Sequence, residues 1–111
     1  PGEDRLYVAT MEDGTTIGSC GFLHQDDQCC ELVRMITDDR YQGRGIGSRL
    51  LKFVLRECAV KGYRKIVLKT ASFRRPACKL YESNNFRLTN INVDQYGILT
   101  FSQYECDLND L

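Results

Sequence analysis

The chain has 111 residues, of which 42% are hydrophobic and none is tryptophan, so it is long enough for one domain with one core and too short for two. Its 15 basic and 15 acidic residues give no net charge, which excludes a protein that attracts polyanions through its overall field. Any anion site must therefore be local, and we expect no nucleic-acid partner. No apolar run approaches the roughly 18 residues of a membrane span and no signal peptide is present, so we expect a cytoplasmic protein, with the nucleus as the alternative.

The six cysteines form no CxxC pair and have no histidine cluster beside them, so the sequence predicts no metal site. Most lie within apolar runs, as small buried side chains do. We therefore expect free thiols in a reducing compartment, and the adjacent pair Cys29 and Cys30 leaves a redox role open as the alternative. Pro1 stands where an initiator methionine is expected, which we interpret as the start of a fragment.

The first part of the chain reads as three β-strands. Their runs are rich in β-branched, aromatic and other apolar residues, and turn-forming residues separate them. The predicted strands cover residues 6–11, 15–23 and 30–37, joined by a turn at Glu12-Asp13-Gly14 and a polar loop at 24–28.

From Gly45 the apolar residues recur at three- and four-residue spacing, which predicts an amphipathic helix of about four turns that ends before Gly62. A short apolar strand follows, so strand, helix and strand in succession predict a right-handed βαβ unit with two parallel strands. The remaining predicted elements are a strand at 66–68, a helix from about 74 to 84, and a final hairpin of strands 86–93 and 98–106.

A glycine-rich loop lies between the third strand and the first helix. Glycines at 43, 45 and 47 leave room for a phosphate to approach the backbone, and the helix that follows presents free N–H groups and the positive end of its dipole. Arg44, Arg49 and Arg40 add positive charge. The alternative is that the glycines only form a tight turn, although one glycine usually suffices for that. We interpret the loop as an anion site.

Two common phosphate-binding loops do not fit this segment. A Walker A loop ends in Gly-Lys followed by Ser or Thr, whereas Gly47 is followed by Ser48 and Arg49. A dinucleotide-binding GxGxxG motif that began at Gly43 would need glycine at position 48, which is serine. The sequence therefore disfavours both a nucleoside triphosphate and a Rossmann dinucleotide.

The segment Gln42-Gly43-Arg44-Gly45-Ile46-Gly47 does match the acyl-CoA loop Gln/Arg-x-x-Gly-x-Gly/Ala, and here the chain resembles the GNAT superfamily of N-acetyltransferases. Residues 75–86, RPACKLYESNNF, resemble the second signature of that family, in which Ala-x-x-Leu-Tyr ends a helix and a Gly-Phe pair opens the next strand. The resemblance covers residues 31–88 of a single domain spanning 1–111, and some details are similar to the camello-like or N-acetyltransferase-8-like members.

The resemblance implies a mixed α/β fold: a largely antiparallel sheet whose third and fourth strands are parallel and splay around the cofactor. It also implies transfer of an acetyl group from acetyl-CoA to an amine, by direct attack in a ternary complex. The expected cofactor-binding residues are Met35, Ile36 and Thr37 along the pantetheine arm, and Gln42, Gly43, Arg44, Gly45, Ile46, Gly47 and Ser48 around the diphosphate. Tyr81 is the expected general acid and Glu31 the expected base.

Some of these roles have alternatives. Tyr81 is otherwise a packed helix aromatic, and Glu31 is otherwise a strand-end carboxylate that pairs with Arg34. His24 is a second candidate base, because histidine titrates near neutral pH. Cys78 raises the alternative of a ping-pong reaction through a covalent intermediate.

The chain departs from the family pattern in places. Arg74 stands where an asparagine often contacts the pantetheine, and Asn85 replaces the glycine before Phe86. The family's first strand and its one or two following helices, which help form the acceptor pocket, have no counterpart ahead of residue 6, so the acceptor amine and a homodimer are left open. The rival function is therefore a non-catalytic acyl-CoA-binding or interaction module of the same fold.

Overall fold

The computed structural model describes residues 3–110, which form one sheet of six strands with two helices. The strands are β1 Arg5–Thr10, β2 Thr16–His24, β3 Cys29–Thr37, β4 Lys65–Ala71, β5 Arg87–Val93 and β6 Thr100–Asp107. The helices are α1 Ile46–Val60 and α2 Arg75–Glu82, and short 3₁₀ turns cover Asp39–Tyr41 and Leu108–Asp110. Every predicted element is confirmed, and within residues 3–110 no helix is long and apolar enough to cross a membrane.

The bounds differ most at β4, which runs from Lys65 to Ala71 and is longer than the predicted 66–68, and they also differ around the last hairpin. Strand β6 begins at Thr100 and not at 98, because the Asp94 carboxylate accepts the N–H groups of Tyr96 and Ile98 and holds them in the loop. Helix α2 ends at Glu82, and Asn85 then takes the left-handed conformation with φ 70° that a glycine would otherwise supply.

The six strands form one sheet in the order β1-β2-β3-β4-β6-β5. Only β3 and β4 are parallel, and they are joined through α1, which is the predicted βαβ crossover. All the other neighbours in this order are antiparallel. The prediction of a largely antiparallel sheet with one parallel pair is therefore confirmed.

The apolar stripe of α1 packs onto the sheet as its spacing predicted. Leu51, Val54 and Cys58 are buried within one core cluster that also contains Tyr81 of α2. On the edge strand β1, Tyr7 faces α1 and meets the ring of Phe53, with centroids 5.1 Å apart. Both helices thus contribute buried apolar residues to a single core.

A β-bulge interrupts β3 at Arg34, which has φ 53° and shifts the register against β2. Before the bulge, Cys30 and Leu32 point into the core. After it, Met35 and Thr37 lie against the start of α1, where both approach Gly47. Because one extra residue reverses the alternation of a strand, the bulge turns the end of β3 toward the glycine loop.

Candidate active site

The glycine loop has the backbone that its composition predicted. Gly43 has φ 81° and Gly45 has φ 79°, a conformation that side-chain-bearing residues rarely adopt. A Cβ added to either glycine would have no atom within 4 Å among the described residues. The glycines are therefore required by the turn of the backbone, and they leave open space beside it.

The start of α1 presents free backbone donors. Gly45 is the N-cap and contributes no side-chain cap, and the first helical bond runs from the N–H of Arg49 to the carbonyl oxygen of Gly45 at 3.0 Å. Across residues 3–110, the N–H groups of Ile46, Gly47 and Ser48 have no backbone or side-chain acceptor. Unpaired N–H groups at the positive end of a helix dipole are suited to an anion.

The arginines of the loop contribute unequally. Arg40 donates from Nε and Nη2 to the two carboxylate oxygens of Asp38 at 3.1 and 3.0 Å, so its charge is offset, contrary to the expectation that it adds to the loop. The same hydrogen bonds lower the pKa of the Asp38 carboxyl. The guanidinium of Arg44 lies 5.4 Å from the centroid of the Tyr41 ring and has no carboxylate partner among residues 3–110.

A cleft of about 320 Å³ opens between this loop and α2, and we call it the loop cleft. Most of the predicted cofactor-binding residues line it, namely Met35, Thr37, Gln42, Gly43, Gly45, Ile46, Gly47 and Ser48. Tyr41, Arg74, Pro76, Ala77, Leu80 and Tyr81 complete its wall. Arg44 and Ile36 do not line this cleft, since Ile36 lies on the other face of the strand.

A second cleft, of about 370 Å³, lies where the parallel strands separate, and we call it the splay cleft. Strands β3 and β4 pair only from Cys29 with Lys65 to Glu31 with Val67, and they diverge beyond that point. The splay cleft is lined by residues of both strands and of α2, including Glu31, Arg34, Ile36, Lys69 and Thr70. Met35, Arg74 and Tyr81 line both clefts, so the two meet at these side chains.

Tyr81 is held at this junction by core packing. Its ring meets Phe86 and Tyr104 with centroids 5.6 and 6.0 Å apart, and only 6% of the residue is exposed. Burial raises the pKa of Tyr81 to about 12, although nearby Arg74 opposes the shift. The hydroxyl is therefore protonated at neutral pH, and within residues 3–110 it has no hydrogen-bond partner. The residue that carries this protonated hydroxyl lines both clefts.

The structure separates the two candidate bases. Glu31 lines the splay cleft, and its Oε1 accepts a hydrogen bond from Nε2 of Gln25 at 3.2 Å. The alternative pairing with Arg34 is not formed in the described part of the chain. The Nδ1 of His24 lies 2.6 Å from the hydroxyl of Tyr63, and His24 lines neither cleft.

None of the six cysteines lines either cleft. Cys78 lines a separate cavity with Ser72 and Glu82, which gives a ping-pong reaction no geometric support. All six thiols are free, and the Sγ atoms of Cys30 and Cys58 lie 3.5 Å apart in the core. Within residues 3–110, no group of three His, Cys, Asp or Glu side chains is arranged to hold a metal ion.

Three site residues were not predicted from the sequence. Tyr41 lines the loop cleft and Lys69 lines the splay cleft, and neither belongs to a recognisable motif. Arg34 reaches the splay cleft because of the bulge, and no local pattern indicates that its backbone is left-handed. A signal for Lys69 does exist: it is a charged residue in an otherwise buried strand next to the expected splay.

The match of this chain to a protein-family model identifies its family. Residues 1–86 match the model described as the Acetyltransferase (GNAT) family, a span that contains both the glycine loop and the second signature. This chain belongs to the GNAT acetyltransferase family. The resemblance inferred from the two signatures is thereby confirmed.

Individual GNAT relatives are similar over most of this chain. Human N-acetylaspartate synthetase is 40% identical over 83 residues, which are 74% of this chain and 27% of that protein. Human N-acetyltransferase 8B is 31% identical over 89 residues, which are 76% of this chain and 39% of that protein. The chain thus spans about a quarter of the synthetase.

A solved GNAT structure has the same fold. It is a GNAT family acetyltransferase from Elizabethkingia anophelis with acetyl-CoA bound, with a TM-score of 0.85 and 24% identity. The match covers 94% of this chain and 76% of that chain. This similarity extends beyond the signatures to the whole sheet.

Proposed function

We propose that this protein is an N-acetyltransferase that transfers an acetyl group from acetyl-CoA to an amine. The observation that carries the proposal is the meeting of two clefts at one buried, protonated tyrosine, Tyr81. The loop cleft has free donors for an anionic donor substrate, and the splay cleft gives a second molecule access to the same point. Membership of the GNAT family supports this reaction class.

The residues of the loop cleft fit acetyl-CoA. The N–H groups of Ile46, Gly47 and Ser48, free within residues 3–110, would hold the diphosphate, and Gly43 and Gly45 leave the space beside them open. Main-chain groups of Met35, Ile36 and Thr37 would hold the pantetheine arm. When bound, acetyl-CoA supplies a thioester whose C–S bond breaks as the acetyl carbon bonds to the acceptor nitrogen.

Side chains of this protein would carry out the two proton transfers of the reaction. The Glu31 carboxylate, in the splay cleft, accepts the proton that the acceptor nitrogen loses. The Tyr81 hydroxyl donates its proton to the departing sulfur. A backbone N–H of Met35 or Ile36 donates to the carbonyl oxygen as negative charge develops there. No covalent bond to the protein is needed.

The proposed function extends to the acceptor and to the location of the protein. The acceptor is an amine that enters through the splay cleft. The human relative is named N-acetylaspartate synthetase, and N-acetylaspartate is an acetylated amino acid with two carboxylates. We also propose a cytoplasmic protein, a location that the six free thiols favour.

Substitution of the loop tests the donor site. Gly45→Glu places a side chain and a negative charge in the open space beside the free N–H groups, so we expect acetyl-CoA to lose at least about tenfold in affinity. The measurement is the rise in melting temperature with acetyl-CoA, CoA and NAD, because a ligand of the native state stabilises it. Acetyl-CoA and CoA should raise it and NAD should not.

Gly14→Glu is the matched control. Gly14 has φ 90° and open space around an added Cβ, so the two substitutions impose the same kind of backbone strain at different places. Gly14→Glu should lower the melting temperature and keep the shift caused by acetyl-CoA. Unchanged acetyl-CoA affinity in Gly45→Glu would remove the loop from the site. Binding of acetyl-CoA without release of CoA across a panel of amines would instead favour the non-catalytic module.

A further inference from the structure

We propose that the acceptor is an acidic amine, one that carries carboxylates, and that Arg34, Lys69 and Arg74 bind those carboxylates in the splay cleft. This inference rests on the proposed acetyl transfer and specifies the substrate class for its acceptor side. The observation behind it is the charge of the splay cleft: these three cations and a single carboxylate, that of Glu31, line it.

The three cations have no carboxylate partner in the protein. Within residues 3–110, no Asp or Glu oxygen lies within 4.0 Å of their charged nitrogens. Elsewhere on the surface Arg40 is held by Asp38, and Lys65 and Arg87 both face Glu105. Other cations, such as Arg44, Arg49 and Arg75, also lack a carboxylate partner among residues 3–110. The splay cleft differs in that three such cations share one cleft with a single carboxylate, and this concentration of positive charge favours an anion from solvent.

The carboxylate of the cleft does not neutralise these cations. Glu31 accepts its hydrogen bond from the neutral amide of Gln25. A cationic polyamine would therefore meet three like charges, whereas an acidic amine would meet three opposite charges and find Glu31 near its nitrogen. Like-charge contact disfavours the wrong partner as strongly as opposite charge favours the right one.

The backbone of Arg34 gives independent support. Its φ of 53° is left-handed, a conformation that costs a residue with a Cβ more than it costs glycine. The bulge alone would be formed more easily by glycine. An arginine at this strained position, in a residue that lines the cleft, is explained if the guanidinium has a ligand.

Arg74 differs from the other two cations because it lines both clefts. Arg34 and Lys69 line the splay cleft only, so they can be neutralised without altering the wall of the loop cleft. This separation makes a clean test available. Arg34→Gln and Lys69→Gln should weaken an acidic acceptor and leave acetyl-CoA affinity unchanged.

The experiment is calorimetric titration of the whole chain, with and without saturating CoA, using L-aspartate, its diamide aspartamide, which lacks both carboxylates, and spermidine. We expect aspartate to bind at least about tenfold more tightly than aspartamide and spermidine. Arg34→Gln and Lys69→Gln should each weaken aspartate about tenfold. Arg56→Gln removes an exposed cation of α1 that lines neither cleft, and it should change nothing.

Equal binding of aspartate and aspartamide, tighter binding of spermidine, or no loss in the two variants would overturn the proposal. Release of CoA, followed with the same three amines, separates this failure from a failure of the proposed function. CoA released with spermidine but not with aspartate refutes the acidic acceptor and retains the acetyltransferase. Tight aspartate binding without CoA release from any amine retains the acidic site and refutes the reaction.

Discussion

The ring and the hydroxyl of Tyr81 have separate tasks. The ring fills the core between Phe86 and Tyr104, and the residue lines both clefts, where we propose that its hydroxyl acts as the acid. Tyr81 can therefore be both a packed core aromatic and the general acid. Removing only the oxygen distinguishes their contributions.

Tyr81→Phe keeps the ring and deletes the proton donor. We expect turnover to fall about a hundredfold, the lower end for loss of a general acid, since a thiolate is already a fair leaving group. Acetyl-CoA affinity should change little. The measurement is CoA release at saturating substrates, with the melting temperature recorded alongside.

Tyr104→Phe is the control for this substitution. The Tyr104 hydroxyl donates to Oε2 of Glu82 at 2.6 Å and lines neither cleft, so its removal should cost about 1 kcal/mol of stability and leave turnover intact. If Tyr81→Phe turned over as fast as the unaltered protein, Tyr81 would be a core residue only.

The sequence allowed some site residues to be predicted and gave no indication of others. Tyr81 could be named because a signature of fixed spacing carries it, and Glu31 only through the wider resemblance to the family at the start of the strand before the loop. The offset of Arg40 by Asp38 and the left-handed backbone of Arg34 could not, because neither follows from residue type alone. Both depend on how the chain turns at the end of β3.

At the scale of secondary-structure elements, the site depends on close packing between the first turn of α1 and the end of β3. A Cβ added to Gly47 would lie 3.3 Å from Oγ1 of Thr37, 3.5 Å from Cε of Met35 and 3.7 Å from Cδ2 of Leu80. Gly47 thus serves helix packing, whereas Gly43 and Gly45 serve the turn. The bulge at Arg34 brings Met35 and Thr37 to the face where they meet this helix.

Gly47→Val should push the start of α1 away from β3. We expect a loss of about 1–3 kcal/mol in the free energy of unfolding, as in overpacked contacts, together with weaker acetyl-CoA binding because the free N–H groups move. Urea titration and the acetyl-CoA thermal shift measure the two effects. Lys52→Val, at an exposed position of the same helix, introduces the same β-branched side chain away from β3 and is the control.

Lys52→Val should cost about 0.5 kcal/mol and keep the acetyl-CoA shift. Unchanged acetyl-CoA affinity in a destabilised Gly47→Val protein would mean that the position of α1 does not determine the donor site.

At the scale of the whole molecule, the core holds several ionisable groups in their neutral forms. Burial raises the pKa of Cys20 from 9.0 to about 12, that of Cys106 from 9.0 to about 11, and that of Tyr81 from 10.0 to about 12. In the unfolded chain these groups lose their protons at lower pH. The folded state therefore binds more protons than the unfolded state in the alkaline range.

The free energy of unfolding should consequently fall as the pH rises above 9. Each raised pKa stabilises the fold fully below its unfolded value, and that stability is lost as the pH rises toward the folded value, by up to about 1.4 kcal/mol per pH unit for each group. Urea titrations between pH 8 and 11, with a thiol reductant present, measure the slope. Cys20→Ala should make it shallower.

A free energy that stayed constant or rose over this range would contradict the burial of these thiols. The slope is the quantity to compare, because Cys20→Ala also leaves a small cavity that lowers stability at every pH.

The sequence by itself determined the order and type of the elements, since these follow from local periodicity and from turn residues such as Gly14 and Gly62. It also determined the family, through two signatures of fixed spacing. Only the tertiary structure decided that the loop cleft and the splay cleft meet at Met35, Arg74 and Tyr81, and that Arg34 and Lys69 lie in one cleft. The physical reason is that the two clefts are formed by one bulge in β3 and by the divergence of β3 from β4. Both features bring together residues that are far apart in the chain, so no local sequence pattern indicates them.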